Sequence, residues 1–180
     1  MSDYVHVNIA LDNGCLNAKG KHPVLNKLDD LEEQGLITLS TSSTSTREQI
    51  ETQKSGEWLT RYLNRIQTLK LIMEPAIVDI AKVGLARVAP DETGIVIKKI
   101  SKICFPGLDF SQLTSNQKND ILHLVTAIDT GADYFLTHNK NDMILNGKQK
   151  KLEKYGIKIR EPNESLLKEL NSLVNGNYLE

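Results

Sequence analysis

Cysteine is scarce in this sequence: among 180 residues, only Cys15 and Cys104 are cysteines. Their spacing fits no zinc-binding arrangement, and two cysteines in a chain of this length do not make a disulfide framework. We therefore expect both residues to be free thiols. A cysteine-based zinc site and a disulfide-stabilised secreted fold are excluded on the same ground.

An excess of charge of one sign is also absent. The 22 Lys and Arg residues nearly balance the 23 Asp and Glu residues, which leaves a formal net charge of -1. This balance argues against the strongly basic class of nucleic-acid-binding proteins, so any basic surface for a nucleic acid must be local.

Long apolar runs are missing too. No stretch approaches the roughly 18 apolar residues that a transmembrane helix needs, and residues 1–11 lack the basic start and apolar core of a secretory signal. We therefore expect a cytoplasmic protein with no membrane contact. The length and the 39% hydrophobic content are typical of one domain, which we expect to span residues 1–180.

The apolar residues that are present follow two periodicities. Alternating or short apolar runs predict strands at residues 4–11, 36–39, 134–136 and 157–159. Helical spacing predicts helices at residues 23–34, 56–70, 76–83, 142–155 and 164–174, with two more that begin near residues 45 and 114. This succession favours an α/β fold with a mostly parallel central sheet. The pattern is weakest in a middle segment, about residues 55–113, which we expect to be helical.

Four acidic residues fall where predicted strands end or predicted helices begin. Asp12 follows the first strand and Glu48 opens the helix after the second, while Asp120 and Asp142 lie before and after the third strand. Such positions line one crevice in a parallel α/β sheet. Clustered carboxylates repel each other unless a cation is bound. Oxygen ligands without nearby Cys or paired His favour Mg²⁺ or Mn²⁺ over zinc.

The two ends of the sequence resemble the PIN-domain ribonucleases, a family that includes the VapC-type toxins of toxin–antitoxin pairs. The run VNIALD at 7–12 is similar to the family's first strand and metal-binding Asp. DILHLVTA at 120–127 is similar to a family helix that begins with Asp, and GADYFLTHN at 131–139 to a strand that ends in Thr-x-Asp or Thr-x-Asn. Asp142 matches an Asp that members carry shortly after that strand. The resemblance covers about residues 4–50 and 114–170.

The resemblance implies a three-layer PIN-like fold and a metal-dependent ribonuclease that hydrolyses phosphodiester bonds in RNA. It implies that Mg²⁺ or Mn²⁺ is bound by a cluster of catalytic carboxylates: Asp12, Glu48, Asp120 and Asp142. Thr137 and Asn139 would position a phosphate or a water molecule. Besides the RNA substrate, the partners it suggests are an antitoxin protein and a second copy of the chain.

Two departures from the family pattern leave a rival function open. Asn139 stands where many members carry a carboxylate, and the middle segment is longer than in the compact toxins. The rival is a non-catalytic PIN-like module that binds RNA or a protein through a degenerate metal site. A phosphotransfer enzyme with Asp12 as its nucleophile is disfavoured, because Gly14 stands where its second Asp would be.

Each candidate ligand also has a purely structural interpretation. Asp12 precedes a strong Asn-Gly turn signal, and Glu48 completes a helix capping box with Ser45. The helix dipole favours Asp120 near a helix start whatever its function. Asp142 can be a helix N-cap.

The other polar residues near these positions are expected to be structural or solvated. His123 and His138 are interpreted as polar surface residues, and the hydroxyl-rich run at 40–46 as a solvated loop and helix cap. The lysines between 148 and 154 are interpreted as a solvated helix face. The apolar stripe from 58 to 69 is interpreted as core or as a dimer surface.

Overall fold

The computed structural model describes residues 6–18, 20–51, 66, 69–75, 86–87 and 91–175. Its strands are β1 (Val7–Leu11), β2 (Ile37–Ser42), β3 (Lys70–Ile72), β4 (Glu74–Pro75), β5 (Ala86–Arg87), β6 (Tyr134–Leu136) and β7 (Lys158–Arg160). Its α-helices are α1 (Asn13–Ala18), α2 (Pro23–Glu33), α3 (Ser43–Glu51), α4 (Asp91–Cys104), α5 (Ser115–Asp129), α6 (Lys148–Leu152) and α7 (Glu164–Asn175). A π-helical turn (Lys140–Ile144) and two 3-10 turns (Phe110–Gln112 and Glu153–Tyr155) are also present.

Five of the seven described strands form one sheet in the order β3-β2-β1-β6-β7, with every neighbouring pair parallel. Within it, Ile9 of β1 pairs with Leu39 of β2 on one side and with Tyr134 of β6 on the other. The chain moves outward from β1 through β2 to β3, and then continues on the opposite side of β1 with β6 and β7. The strand order therefore reverses between β1 and β6. Ligands of open α/β sheets bind at such a switch point, beyond the carboxyl ends of the strands.

Alternation along the strands gives the sheet two buried faces. Ile9 and Leu11 lie in a first core, which includes residues of α1, α2 and α7. Ala10 and Phe135 lie in a second core, which includes residues of α4 and α5. A parallel sheet between two helical layers confirms the predicted three-layer α/β fold.

Two helices begin at the signals that predicted them. Helix α2 starts at Pro23, where the missing backbone N–H costs no hydrogen bond. Helix α5 follows Thr114, whose hydroxyl accepts a hydrogen bond from the Gln117 backbone N–H at 3.3 Å. The Gln117 side chain in turn accepts from the Thr114 backbone N–H at 3.0 Å, which completes a capping box.

The interpretation of residues 40–46 as a solvated loop is wrong. Strand β2 runs to Ser42 and helix α3 begins at Ser43, and residues 40–45 are at most 5% exposed. Their hydroxyls are satisfied internally: Ser40 Oγ donates to the carbonyl of Ile9, and Thr41 Oγ1 donates to that of Leu11, both at 3.2 Å. A hydroxyl that bonds to the neighbouring strand can be buried at little cost. A prediction from hydropathy alone therefore ends this strand too early.

The helix predicted at 142–155 is divided into three short pieces. The π-helical turn ends at Ile144, helix α6 starts at Lys148, and a 3-10 turn follows at Glu153. Between the first two pieces, Asn146 and Gly147 have φ values of 58° and 73°. This left-handed conformation cannot continue a right-handed helix.

Much of the middle segment lies outside the described residues. This includes the predicted helix at 76–83 and all of the one at 56–70 except residues 66, 69 and 70. Of these, Ile66 and Leu69 pack in the first core, while Lys70 belongs to strand β3. The described part also contains the parallel pair β4–β5 and helix α4. Among the helices described, none is long and apolar enough to cross a membrane.

Candidate active site

The carboxyl ends of β1 and β6 meet at the switch point of the sheet. The backbone N–H of Asp12, directly after β1, donates to the carbonyl of Leu136, the last residue of β6, at 3.0 Å. Thr137 and Asn139 follow β6 at the same edge. Helix α5 reaches this edge as well, since Asn139 Nδ2 donates to Asp120 Oδ2 at 2.9 Å. Two strands and one helix thus deliver predicted site residues to one crevice.

Asp12 combines a structural contact with a position at the crevice. It is 8% exposed, and its Oδ1 accepts a hydrogen bond from the Cys15 backbone N–H at 2.6 Å, which caps α1. A Cβ at Gly14 would lie 3.3 Å from that oxygen, so a side chain there would crowd the carboxylate. The turn signal in the sequence therefore reflects a real cap. A carboxylate oxygen with one hydrogen bond still has a lone pair for a second partner.

Asp120 has a strongly raised pKa. The pKa of Asp120 is raised from 3.8 to about 7, mainly by burial, and the negative charges of Asp12 and Glu48 contribute to the increase. His123 and the hydrogen bond from Asn139 act in the opposite direction without compensating. Two other carboxylates therefore act on Asp120. Such a cluster gains most from an added positive charge.

Asn139 joins the loop after β6 to Asp120. Its backbone N–H donates to Thr137 Oγ1 at 2.9 Å, and its own Oδ1 accepts from the Asp142 backbone N–H at 3.3 Å. Thr137 is fully buried, so its hydroxyl acts on the turn itself. Because the Asn139 oxygen caps the π-helical turn, its NH₂ group faces Asp120.

Asp142 lies in the first turn of the π-helical segment, and its side chain is partly exposed. The interpretation of Asp142 as an N-cap is wrong, because Asn139 has that position. Burial raises the pKa of the Cys104 thiol to about 12, and the charges of Asp142 and Asp120 contribute to the increase. Both carboxylates are therefore within electrostatic reach of Cys104.

Glu48 is bound by two side chains of helix α5. Its Oε1 accepts from Asn119 Nδ2 at 3.0 Å, and its Oε2 is 3.3 Å from His123 Nε2. Asn119 and His123 are four residues apart and hence on the same helix face. The capping-box interpretation of Glu48 is wrong, since the Ser45 hydroxyl bonds to Thr41 Oγ1 at 3.1 Å instead.

The contact between Glu48 and His123 changes the pKa of both groups. Burial would raise the pKa of Glu48, but the hydrogen bond and charge of His123, with the bond from Asn119, hold it below its usual 4.5. Burial would lower the pKa of His123, but Glu48, Asp12 and Asp120 raise it above its usual 6.5. The pair is thus favoured as an ion pair, and His123 supplies part of the positive charge that the cluster needs.

The place of His123 in this cluster was not predicted from the sequence. This residue was expected at the surface, but it is 2% exposed, and its Nδ1 lies 2.8 Å from Ser42 Oγ. Helix α5 is buried on several sides from residue 119 to 127, so an apolar stripe on one face does not define its environment. One feature of the sequence could have indicated it: Asn119 and His123 are both polar, lie one helical turn apart and are on either side of Asp120 in the sequence. His138 is exposed as expected.

The lysines between 148 and 154 have two different environments. Lys148 Nζ donates to the carbonyls of Cys104 and Asn141 at 2.7 and 2.8 Å. It therefore connects the end of α4 to the π-helical turn. The expectation of a solvated face is wrong for this residue. Lys150, Lys151 and Lys154 are exposed, as expected.

The donor chemistry of the crevice fits a hard divalent cation. Asp12, Asp120 and Glu48 offer carboxylate oxygens, which Mg²⁺ and Mn²⁺ prefer. Within the part of the chain that the structure describes, no three Asp, Glu, His or Cys side chains form a ready ligand group. Mg²⁺ commonly keeps several waters and takes only one or two carboxylates from the protein. These carboxylates would therefore suit a cation that keeps several of its own waters.

A search of solved structures finds a similar chain in the crystal structure of VapBC2 from Rickettsia felis bound to a DNA fragment from their promoter. The match covers 86% of this chain and 98% of that chain, with a TM-score of 0.51 and 19% sequence identity. At this identity the likeness shows the fold alone, and it confirms the expected PIN-like fold. Neither the protein-family models nor the curated proteins give a match.

Proposed function

We propose that the protein is a metal-dependent ribonuclease that hydrolyses phosphodiester bonds in RNA with Mg²⁺ or Mn²⁺. The observation that carries the proposal is that Asp12 and Asp120 lie at the switch point of the sheet, with Glu48 close enough for its charge to raise the pKa of Asp120. Ligand sites of open α/β folds lie at this point. The resemblance of the two sequence ends to PIN-domain ribonucleases supports the same reaction.

The residues of the crevice can be given separate tasks in this reaction. Asp120 and Asp12 would hold the cation, with Glu48 and Asp142 as the outer carboxylates. A bound divalent cation would activate water and neutralise charge on the phosphate. Asn139 would hold the Asp120 carboxylate through its NH₂ group, and Thr137 would keep Asn139 in place.

We infer a cytoplasmic protein that works with a protein partner. One solved structure that this chain resembles is that of VapBC2 bound to a promoter DNA fragment. An antitoxin that covers the crevice would be the corresponding partner here, and a second copy of the chain could complete the assembly. Co-expression with the product of an adjacent small reading frame tests this part, with one stable complex as the expected result.

A second candidate is a PIN-like module that binds RNA or a protein without cutting. It is favoured by the hydrogen-bonding partners that the chain itself provides: His123 contacts Glu48, and the neutral Asn139 NH₂ group donates to Asp120. These contacts supply part of the compensation that a cation would give. The two candidates differ in whether the purified protein cleaves RNA.

The first prediction is metal-dependent cleavage. The purified protein is expected to cut single-stranded RNA in Mn²⁺ or Mg²⁺, because the carboxylate cluster needs a cation to act. Excess chelator should abolish cleavage, and added Mn²⁺ should restore it, as followed by gel electrophoresis of a labelled RNA. Equal cleavage in excess chelator would contradict a metal mechanism. RNA binding without cleavage in either metal would favour the second candidate.

The second prediction concerns Asn139→Asp. This change puts a carboxylate oxygen where an NH₂ group now lies 2.9 Å from Asp120 Oδ2. The metal-free protein should melt at a lower temperature because of repulsion, whereas Mn²⁺ affinity should rise by on the order of tenfold with the extra ligand charge. The new side chain can still accept from the Asp142 N–H, so the turn should survive.

Calorimetric titration with Mn²⁺ measures this effect. Asp142→Asn is the companion variant. It removes the negative charge of Asp142, which lies near Asn139, and should therefore weaken Mn²⁺ binding. An unchanged affinity in Asp142→Asn would remove Asp142 from the metal site. A higher melting temperature for metal-free Asn139→Asp would contradict the repulsion argument.

A further inference from the structure

A buried ion pair adjoins the side chains that contact Glu48. Arg47 of α3 and Glu74 of β4 have side chains that are 3% and 0% exposed. Arg47 Nε donates to Glu74 Oε1 at 2.9 Å, and Nη2 donates to Oε2 at 3.2 Å, which is a two-point contact. Thr44 Oγ1 donates to the same Oε2 at 2.5 Å, and the Glu74 backbone N–H donates to Ser43 Oγ at 2.8 Å. Glu74 is therefore fixed to the first turns of α3.

The ion pair also determines how Asn119 is oriented. Arg47 Nη2 donates to Asn119 Oδ1 at 2.7 Å. A guanidinium group can only donate hydrogen bonds, so the amide oxygen of Asn119 must face it. The NH₂ group then faces Glu48, where Nδ2 lies 3.0 Å from Oε1. Donor and acceptor roles are thus fixed along the whole chain of contacts.

The second oxygen of Glu48 is held in a similar way. His123 Nε2 lies 3.3 Å from Oε2, and His123 Nδ1 lies 2.8 Å from Ser42 Oγ at the end of β2. Asn119 and His123 are 3% and 2% exposed. Each oxygen of Glu48 therefore meets a side chain that is itself fixed by a further buried contact.

We propose that Asn119, oriented by the Arg47–Glu74 pair, is a positioning residue that aims the Glu48 carboxylate into the crevice. This inference rests on the proposed metal-dependent function, in which Glu48 contributes to the cation site. It also gives a role to the middle segment, because Glu74 comes from the part of the sequence without a family resemblance. Outer partners of this kind hold ligands in the geometry that a metal requires.

The test compares Asn119→Leu with the wild type. Leucine has a similar size but offers neither the donor to Glu48 nor the acceptor to Arg47. Mn²⁺ affinity in calorimetry and kcat for RNA should both fall by about 10- to 100-fold, as is typical for outer partners of a metal ligand. KM for RNA should stay unchanged, because Asn119 is buried and does not contact the substrate. A merely structural role would lower the melting temperature without this selective effect.

Thr126→Val is the matched control on the same helix. Thr126 is 1% exposed, and within the described residues its Oγ1 has no hydrogen-bond partner. This variant should keep the Mn²⁺ affinity and kcat of the wild type. If Asn119→Leu does not fold, Arg47→Lys replaces it, because lysine keeps the charge opposite Glu74 but lacks the fork that also reaches Asn119.

The outcomes separate the two proposals. If the wild type binds Mn²⁺ and cuts RNA, unchanged affinity and kcat in the folded variant overturn the positioning role alone. A selective loss in Asn119→Leu or Arg47→Lys supports it. If the wild type neither binds Mn²⁺ nor cuts RNA, the proposed function fails and the positioning role fails with it.

Discussion

Replacing Asp120 with asparagine is expected to lower RNA cleavage in Mn²⁺ by more than about 100-fold, since even outer partners of a metal ligand contribute about 10- to 100-fold. The charges of Asp12 and Glu48 act on the Asp120 carboxylate, and in the proposed reaction its replacement would remove a ligand of the cation. Asparagine keeps nearly the same shape. The Asn139 NH₂ group can still donate to its oxygen, so the fold should be retained.

The same substitution is expected to stabilise the metal-free protein. Folding raises the pKa of Asp120 from 3.8 to about 7, through burial and the nearby carboxylates. Between these pH values the folded state holds a proton that the unfolded state has lost, so stability from this group falls as pH rises. Asparagine does not titrate. The free energy of unfolding of the variant should therefore exceed that of the wild type by an amount that grows as the pH rises to about 7. Above that pH the difference should be constant, at about 2 kcal/mol, because the side chain is partly exposed.

Chemical denaturation at pH 5 and pH 8 without divalent cations measures this gain. Asp30→Asn is the matched control, because it makes the same chemical change on the exposed side of α2. It should alter neither cleavage nor the pH dependence. Added Mn²⁺ should stabilise the wild type and the control but not Asp120→Asn. Cleavage at the wild-type rate by Asp120→Asn would place the active site elsewhere.

The fold could be predicted because its signals are local. The alternation of β1, Pro23 at the start of α2, and the capping box of Thr114 and Gln117 each act within a few residues. The parallel sheet then follows from the order of strands and helices. By contrast, β2 was predicted to end too early because its last residues are polar. Their hydroxyls bond to the carbonyls of β1, a partner that lies 30 or 31 residues away in sequence.

The sequence indicated where two acidic residues of the candidate site lie, but it did not indicate which side chains contact the acids. Asp12 and Asp120 occupy positions that the resemblance and the topology indicate. His123 was misjudged because its partner Glu48 lies 75 residues away, and no local pattern connects the two. The Arg47–Glu74 pair was missed for a stronger reason. Its carboxylate comes from a segment with no clear periodicity, and a charge in such a segment is normally expected in solvent.

That buried pair gives the largest expected effect on stability. Arg47→Met should reduce the free energy of unfolding by about 3–5 kcal/mol, the usual cost of removing one partner of a buried ion pair. Glu74 is 0% exposed, so its charge would remain without the two-point contact that now compensates it. Thr44 would still donate to it, but one hydroxyl cannot replace a guanidinium group. Denaturant unfolding of the metal-free protein at neutral pH measures the loss.

The double variant Arg47→Met/Glu74→Met separates stability from positioning. Apolar residues of similar volume often replace a buried ion pair with little or no loss of stability, so most of the lost free energy should return. The interaction with Asn119 does not return, because methionine cannot donate to Asn119 Oδ1. We therefore expect a stable protein whose RNA cleavage stays as low as that of Asn119→Leu. Recovery of cleavage together with stability would show that the ion pair only supports the fold.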